Sequence, residues 1–181
     1  MEPTKRIVVV CGPTAAGKTS FAIDLALAAG GEIVGADSMQ IYRRMDVGTA
    51  KPTPEEQARV PHHLVDFCDP ADPFDAAAYT RLARKVVERL LKRSVVPLVA
   101  GGTGLYIKGL LGGMFPASPS NPEIRSRLKA ESERQGAPAL HDRLARIDPE
   151  TAARLHPNDA FRIVRALEVL EATGEPMSRH Q

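Results

Sequence analysis

The sequence predicts an α/β fold: a parallel sheet flanked by helices, with a small helical insertion subdomain. Three observations carry this. A β-branched run ends in a glycine-rich loop that opens directly into a helical pattern, the strand–helix–strand alternation continues to about residue 100, and the residues after a Pro/Ser-rich stretch show helical patterns only. Alternating strands and helices demand parallel pairing with right-handed crossovers.

Taken in order, Arg6 to Cys11 reads RIVVVC, as a buried parallel strand does. A helix follows from Lys18 to Ala29, with Ala22, Leu25, Ala26 and Ala29 at helical spacing and Gly30-Gly31 as its stop. A second strand spans Glu32 to Ala36 and ends at Asp37. Ser38 to Pro73 is rich in Pro and polar residues and too long for a simple connection, so it is expected to be an irregular working loop. Asp75 caps a helix from Ala76 to Arg93 that presents Tyr79, Leu82, Val86 and Leu90 on one face, and a third strand runs from Val95 to Ala100. Phe115 to Pro122, FPASPSNP, reads as a linker. Beyond it the patterns give helices at Pro122 to Gln135, Ala137 to Ile147 and Asn158 to Ala172, the last closed by Thr173-Gly174. This divides the chain into a core at 1–114, a helical insertion at 115–157 and a helix at 158–181 that returns to the core. Three strands are few for a sheet covered on both faces, so further strands are expected beyond Gln181.

The composition narrows the function classes. With 181 residues and 43% apolar content the chain can bury a continuous core. Lys plus Arg number 24 against 22 Asp plus Glu, a net charge of +2, so any nucleic-acid site must be a local patch. Cys11 and Cys68 suit a reduced, cytoplasmic protein and lack the spacing of a zinc or redox pair. The N-terminus lacks the pattern of a secretory signal, and no run is long enough for a membrane span. A soluble monomer is expected.

The strongest chemical signal is Gly12-Pro13-Thr14-Ala15-Ala16-Gly17-Lys18-Thr19, which fits G-x-x-x-x-G-K-[ST] between a strand and a helix and makes the sheet of the P-loop type. Its backbone N–H groups and the helix N-terminus form an anion cradle, Lys18 adds a full positive charge, and Thr19 can ligate Mg²⁺. A nucleotide such as ATP and an isoprenoid diphosphate offer this cradle the same oxygens. An NTPase places a Mg²⁺-binding acid after a later strand, yet Val95 to Ala100 runs straight into Gly101-Gly102. The acid stands instead at the end of the second strand, in Asp37-Ser38-Met39-Gln40, on the same sheet edge. Asp37 can serve as a general base, orient Mg²⁺ through water, or merely cap a turn. Gly101-Gly102-Thr103-Gly104 reaches that edge too, where Thr103 can bond a phosphate or base, or the segment can be a plain turn. Gly48 to Pro52 and His62-His63-Leu64 lie in the long loop, where a His pair is more often structural than a metal site. Arg162 and Arg165 form a basic stripe opposite Phe161, Val164, Leu167 and Leu170, and Arg125, Arg127 and Lys129 form a second cluster; either can bind RNA or simply pair with Glu168 and Glu171.

In order, GPTAAGKT, DSMQIY, GTAKP, HHL, GGTGLY, HPNDAFRIVRALEV and TGEPMS resemble the tRNA dimethylallyltransferase family, from Ile7 to the end of the chain. The resemblance implies transfer of a dimethylallyl group from dimethylallyl diphosphate to N6 of the adenosine 3′-adjacent to the anticodon, with the tRNA anticodon stem-loop as partner and Mg²⁺ as cofactor. It implies that Gly12 to Thr19 cradle the diphosphate, that Asp37, Lys18 and Thr103 are catalytic, and that Asp37, Ser38, Met39, Gln40, Thr103, Arg125, Asp159, Ala160, Phe161, Arg162 and Ile163 touch the tRNA. Phe161 stands where the family pattern has a polar residue, and family chains continue beyond residue 181. Three other readings fit the motifs less fully: a P-loop small-molecule kinase, a prenyltransferase acting on free adenine nucleotides, and a non-catalytic RNA-binding fragment.

Overall fold

A computed structural model describes residues 6–113 and 121–180; of the linker expected at Phe115 to Pro122, residues 115–120 lie outside them, while Asn121 caps and Pro122 opens a helix. The chain divides into two compact units, Met1–Met114 and Phe115–Gln181.

The first unit is a four-stranded parallel sheet in the order β1-β4-β2-β3. Its strands are β1 (Val8–Cys11), β2 (Gly31–Gly35), β3 (His62–His63) and β4 (Val96–Gly101). β4 lies between β1 and β2, with Val8 opposite Leu98 and Ile33 opposite the same residue. Because successive side chains point to opposite faces, Ile33 and Leu98 bury against α1 (Lys18–Ala29) while Val34 and Val99 bury against α3 (Ala76–Lys92) and α4 (Gly104–Gly112). α1 and the start of α3 fall where expected; Gly30 ends α1 in a left-handed conformation and the Asp75 carboxylate accepts from Ala78 N at 2.7 Å.

Ser38 to Pro73 is less irregular than the sequence suggests. It contains α2 (Pro54–Arg59), opened by a Thr53/Glu56 capping box, and the fourth strand, β3. That strand has two residues and no β-like pattern, and pairing with Ile33 and Val34 is what makes it one. α4 was also not read from sequence. It carries three glycines in nine residues, GLYIKGLLG, and is held by burying Tyr106 and Leu110; Tyr106 stacks on Tyr79 of α3 with ring centroids 4.0 Å apart.

The second unit is helical: α5 (Pro122–Gln135), α6 (Ala137–Ile147), α7 (Pro149–Ala153), α8 (Ala160–Thr173) and a 3-10 turn at Met177–His180. The bounds of α5 and α6 match the sequence reading. The division drawn at 157/158 falls inside this unit, because α8 contributes Ile163, Val164, Ala166 and Leu167 to a core shared with Leu128 of α5 and Leu140 and Leu144 of α6. Glu168, fully buried, ties the unit together: it accepts from Asn121 N at 2.9 Å and pairs with Arg125 and Arg165 at 2.9 Å each. Burial alone would raise its carboxyl, but hydrogen bonds from Arg165 and Arg125 outweigh this and hold it below the usual range.

Candidate functional site

Parallel topology brings the C-terminal ends of β1, β2 and β4 to one edge, and three loops meet there. The first, Gly12 to Gly17, bends through left-handed conformations at Ala15 (φ 65°) and Gly17 (φ 73°). Alternating conformations of this kind turn backbone N–H groups into one concavity, and α1 adds the positive end of its dipole. The Lys18 ammonium folds back across the loop onto Pro13 O at 2.5 Å. Thr19 is half-buried and lines the cavity below it.

The second loop carries Asp37. Its Oδ1 accepts from Met39 N at 2.9 Å and Gln40 N at 3.4 Å, the turn-capping geometry one of the sequence readings foresaw. Among the described residues Oδ2 has no hydrogen-bond partner, so one carboxylate oxygen fixes the turn and the other remains for chemistry. Thr103, in the third loop, is stapled to this one: its Oγ accepts from Ser38 N at 2.9 Å and donates to Ser38 Oγ at 3.2 Å, and its N–H donates to Ala36 O at 3.0 Å. Gly101 allows that approach, since a Cβ there would collide with the Ala36 carbonyl.

A cavity of about 340 Å³ opens between these loops and the long connection. Thr14, Lys18, Thr19, Asp37 and Gln40 line it, together with Thr49, Glu56 and His62 from the connection. Gln40 closes one side by donating to Thr49 O at 3.1 Å and Ala50 O at 2.9 Å. Lys51 anchors the same segment: its ammonium, on a side chain only 5% exposed, reaches Tyr42 O at 2.8 Å, Asp46 at 2.6 Å and Asp66 at 2.7 Å. Burial alone would lower its pKa, yet the two aspartates raise it, so Lys51 is charged at neutral pH.

Sequence reasoning left Gly48 to Pro52 and the His pair without a role. The structure gives Lys51 the task of holding the loop and splits the histidines. His63 bonds buried Glu32 at 2.6 Å on the α3 face, whereas His62, opposite Ile33, lines the cavity. Nothing in the spacing distinguishes them; strand alternation does. Among the described residues no group of three His, Cys, Asp or Glu side chains is close enough to hold a metal directly. The oxygen donors that line the cavity, the Thr19 hydroxyl and the Asp37 carboxylate, with Glu56 already accepting from Thr53 N, suit an ion that keeps most of its water, as Mg²⁺ does.

The other expected residues lie in the second unit. Arg125 is engaged by Glu168 through Nε at 3.1 Å and Nη2 at 2.9 Å. Asp159 caps α8 by accepting from Arg162 N at 3.1 Å and holds the Arg162 guanidinium at 2.7 Å. Ile163 is core, while Phe161, beside Val164 in the first turn, is 76% exposed and adds nothing to the core in which the sequence put it. Arg127 and Arg143 pair with Glu171, so the basic clusters are largely internally neutralised. Among the described residues no helix is long and apolar enough to cross a membrane.

Residues 40–181 match the family model described as IPP transferase. The tRNA dimethylallyltransferase of Desulfosudis oleivorans is 57% identical over 180 residues, which are 99% of this chain and 57% of that protein. The tRNA dimethylallyltransferase of Geobacter sulfurreducens is 54% identical over 176 residues, 97% of this chain and again 57% of the relative. Among solved structures, the full-length tRNA isopentenylpyrophosphate transferase from Bacillus halodurans superposes with a TM-score of 0.62 at 42% identity, covering 95% of this chain and 57% of that one. A eukaryotic dimethylallyltransferase acting on tRNA gives a TM-score of 0.80 at 28% identity, covering 96% and 43%. The chain thus spans a little over half the length of the curated relatives it matches.

Proposed function

Because the chain belongs to the IPP transferase family, we propose that it carries the diphosphate-binding and proton-accepting machinery for moving a dimethylallyl group from its diphosphate to N6 of the adenosine next to the anticodon of a tRNA. One observation carries the reading: a single cavity is lined both by the cradle residues Thr14, Lys18 and Thr19 and by Asp37, whose carboxylate is half-open. The β4 strand meanwhile ends in Gly101-Gly102 without the acid an NTPase would put there.

In this reading the N6–C1 bond forms as the C1–O bond breaks, and the diphosphate departs with the bonding pair. Lys18, the loop N–H groups and the end of α1 stabilise that developing charge. Asp37 Oδ2 receives the N6 proton, its orientation fixed by the bonds its other oxygen accepts. Thr103 positions the Asp37 turn through Ser38 and stands at the same edge for the acceptor base. Thr19 is the residue that would hold Mg²⁺, which supplies further neutralisation of the diphosphate. The tRNA contacts comprise the Asp37–Gln40 turn, Thr103, Arg125 and Asp159 to Arg162 at the start of α8, and the setting is the cytoplasm; Ile163, also expected at the RNA, is fully buried in the core of the helical unit and is not among them.

The test is incubation of the chain with Mg²⁺, dimethylallyl diphosphate and an anticodon stem-loop RNA, followed by mass analysis for an added isopentenyl unit, in parallel with a protein extended to the relatives' full length. A gain on adenosine in either supports the reading. ATP consumption without any gain overturns it. Asp37→Ala should lower turnover by two orders of magnitude or more, roughly the contribution of a general base, with diphosphate affinity little changed, while Lys18→Ala should reduce both. Equal loss of binding in the two variants would remove Asp37 from the role of base.

A further inference from the structure

The positive charge of this chain is concentrated on one helix. Between Arg81 and the C-cap Arg93, α3 carries Arg81, Arg84, Lys85, Arg89, Lys92 and Arg93 against a single acid, Glu88. The rest of the chain holds 18 Lys and Arg against 21 Asp and Glu, so the net charge of +2 becomes −3 once this segment is set aside. At 3.6 residues per turn, the charged residues from Arg81 to Lys92 fall within about 140° of arc. All of them are exposed, and the opposite side of the helix buries Tyr79, Ala83, Val87 and Leu90.

Internal pairing does not account for this face. Among the described residues Arg93 pairs with Glu32 and Arg89 meets His63, but Arg81, Arg84, Lys85, Glu88 and Lys92 form no ion pair. The arginines of the helical unit differ, since Arg125, Arg127, Arg143, Arg162 and Arg165 each hold a carboxylate. The helix dipole favours Arg89 and Lys92 in the last turn, yet it gives nothing to Arg81, Arg84 and Lys85 in the middle, where like charges three and four residues apart oppose the helix.

The chemistry of the face selects its occupant. A membrane surface would call for apolar side chains beside the cations, and none of the large exposed hydrophobic residues belongs to α3. Reading or stacking bases would call for amide or aromatic groups, and the face has only Arg, Lys and Glu. What remains is a polyanion met through its phosphates. We infer that the outer face of α3 binds the phosphate backbone of the RNA acceptor, independently of sequence and at nucleotides other than the one that reacts. The stripe runs away from the cavity, because α3 ends where β4 begins, at the sheet edge opposite the anion loop. The identity of the polyanion rests on reading the acceptor as a tRNA.

The experiment measures binding of an unmodified tRNA transcript to the whole chain by fluorescence anisotropy across a series of salt concentrations. In the triple variant Arg81→Gln, Arg84→Gln, Lys85→Gln the slope of log affinity against log salt should become shallower by about 2–3, with affinity tens of times weaker near 0.1 M salt, if each cation meets one phosphate. Inorganic diphosphate binding, read by calorimetry, should not change. Arg81→Lys with Arg84→Lys keeps the charges and should keep the slope. A triple variant with the parent's slope overturns the inference. So does an equal loss per charge in Arg134→Gln with Arg146→Gln, two exposed cations of the helical unit, which would make net charge and not this face the cause. Tighter binding to phosphatidylserine vesicles than to tRNA would overturn it in favour of a membrane surface. Failure of the unsubstituted chain to bind tRNA at low salt would instead remove the reading of the acceptor on which the inference stands.

Discussion

Replacing Lys51 by Met tests whether the long connection is held as described. The side chain keeps its length and apolar stem but loses three bonds, to Tyr42 O, Asp46 and Asp66. The two aspartates are 69% and 47% exposed, so each re-solvates and its bond is worth only about 0.5–1 kcal/mol. The bond to the Tyr42 carbonyl, made by a charge that is 5% exposed, is worth about 1.5 kcal/mol. The sum, about 3 kcal/mol, corresponds to roughly a hundredfold shift in the opening equilibrium of the segment. Hydrogen exchange read by mass spectrometry should show amides of residues 40–68 exchanging about a hundred times faster, with the amides of α1 far less affected. Diphosphate should bind more weakly, since Thr49 and Gln40 line the cavity that this segment closes. Exchange in Lys51→Met indistinguishable from the parent would refute the reasoning, because no other ammonium among the described residues bonds both Asp46 and Asp66.

Two further outcomes follow from packing and charge. Gly101→Ala drives a methyl group into the Ala36 carbonyl, backbone against backbone, and should cost about 3 kcal/mol or prevent folding; a soluble variant with the parent's urea midpoint would contradict that approach. Glu168→Gln should destabilise the helical unit by about 2–3 kcal/mol, discounted because Arg125 and Arg165 keep 34% and 24% of their side chains in water. The native pKa of Glu168 lies below its ordinary 4.5, so its stabilising effect is complete above that pH and is lost as pH falls through the lowered native value. Melts followed by circular dichroism from neutral pH downward should therefore show a decline below about pH 4.5 in the parent that is shallower in Glu168→Gln.

Where the local chain decides the outcome, the sequence was readable. Lys18–Ala29, Pro122–Gln135 and Ala137–Ile147 begin and end at residues whose backbone preference or capping side chain is itself the signal, such as Gly30, Asn121 and Gly136. The anion loop was legible for the same reason. β3 and α4 were not, because their stability comes from partners: Ile33 and Val34 for His62 and His63, and Tyr79 for Tyr106. Phe161 follows the apolar spacing yet stays 76% exposed, because it stands in the first turn of α8, and periodicity names a face without saying how far along it the covering partners reach. At the cavity, Asp37 was visible as an acid at a strand end. The contributions of Gln40, Lys51 and His62 depend on which backbone carbonyl each meets across the loop, and no spacing encodes that.

The strand order bears on how the protein is made. β1 and β2 are neighbours in sequence but not in the sheet: β1 pairs only with β4, and β2 has just the two-residue β3 until β4 arrives, with Val8 waiting for Leu98 and Gly31 for Val96. On a ribosome the anion loop therefore emerges early and stays without its sheet until β4 has cleared the exit tunnel, and the pairing that then closes is among the least local in the chain. Nascent chains halted before Val96 should be unable to retain diphosphate, although every residue of the loop has already been synthesised.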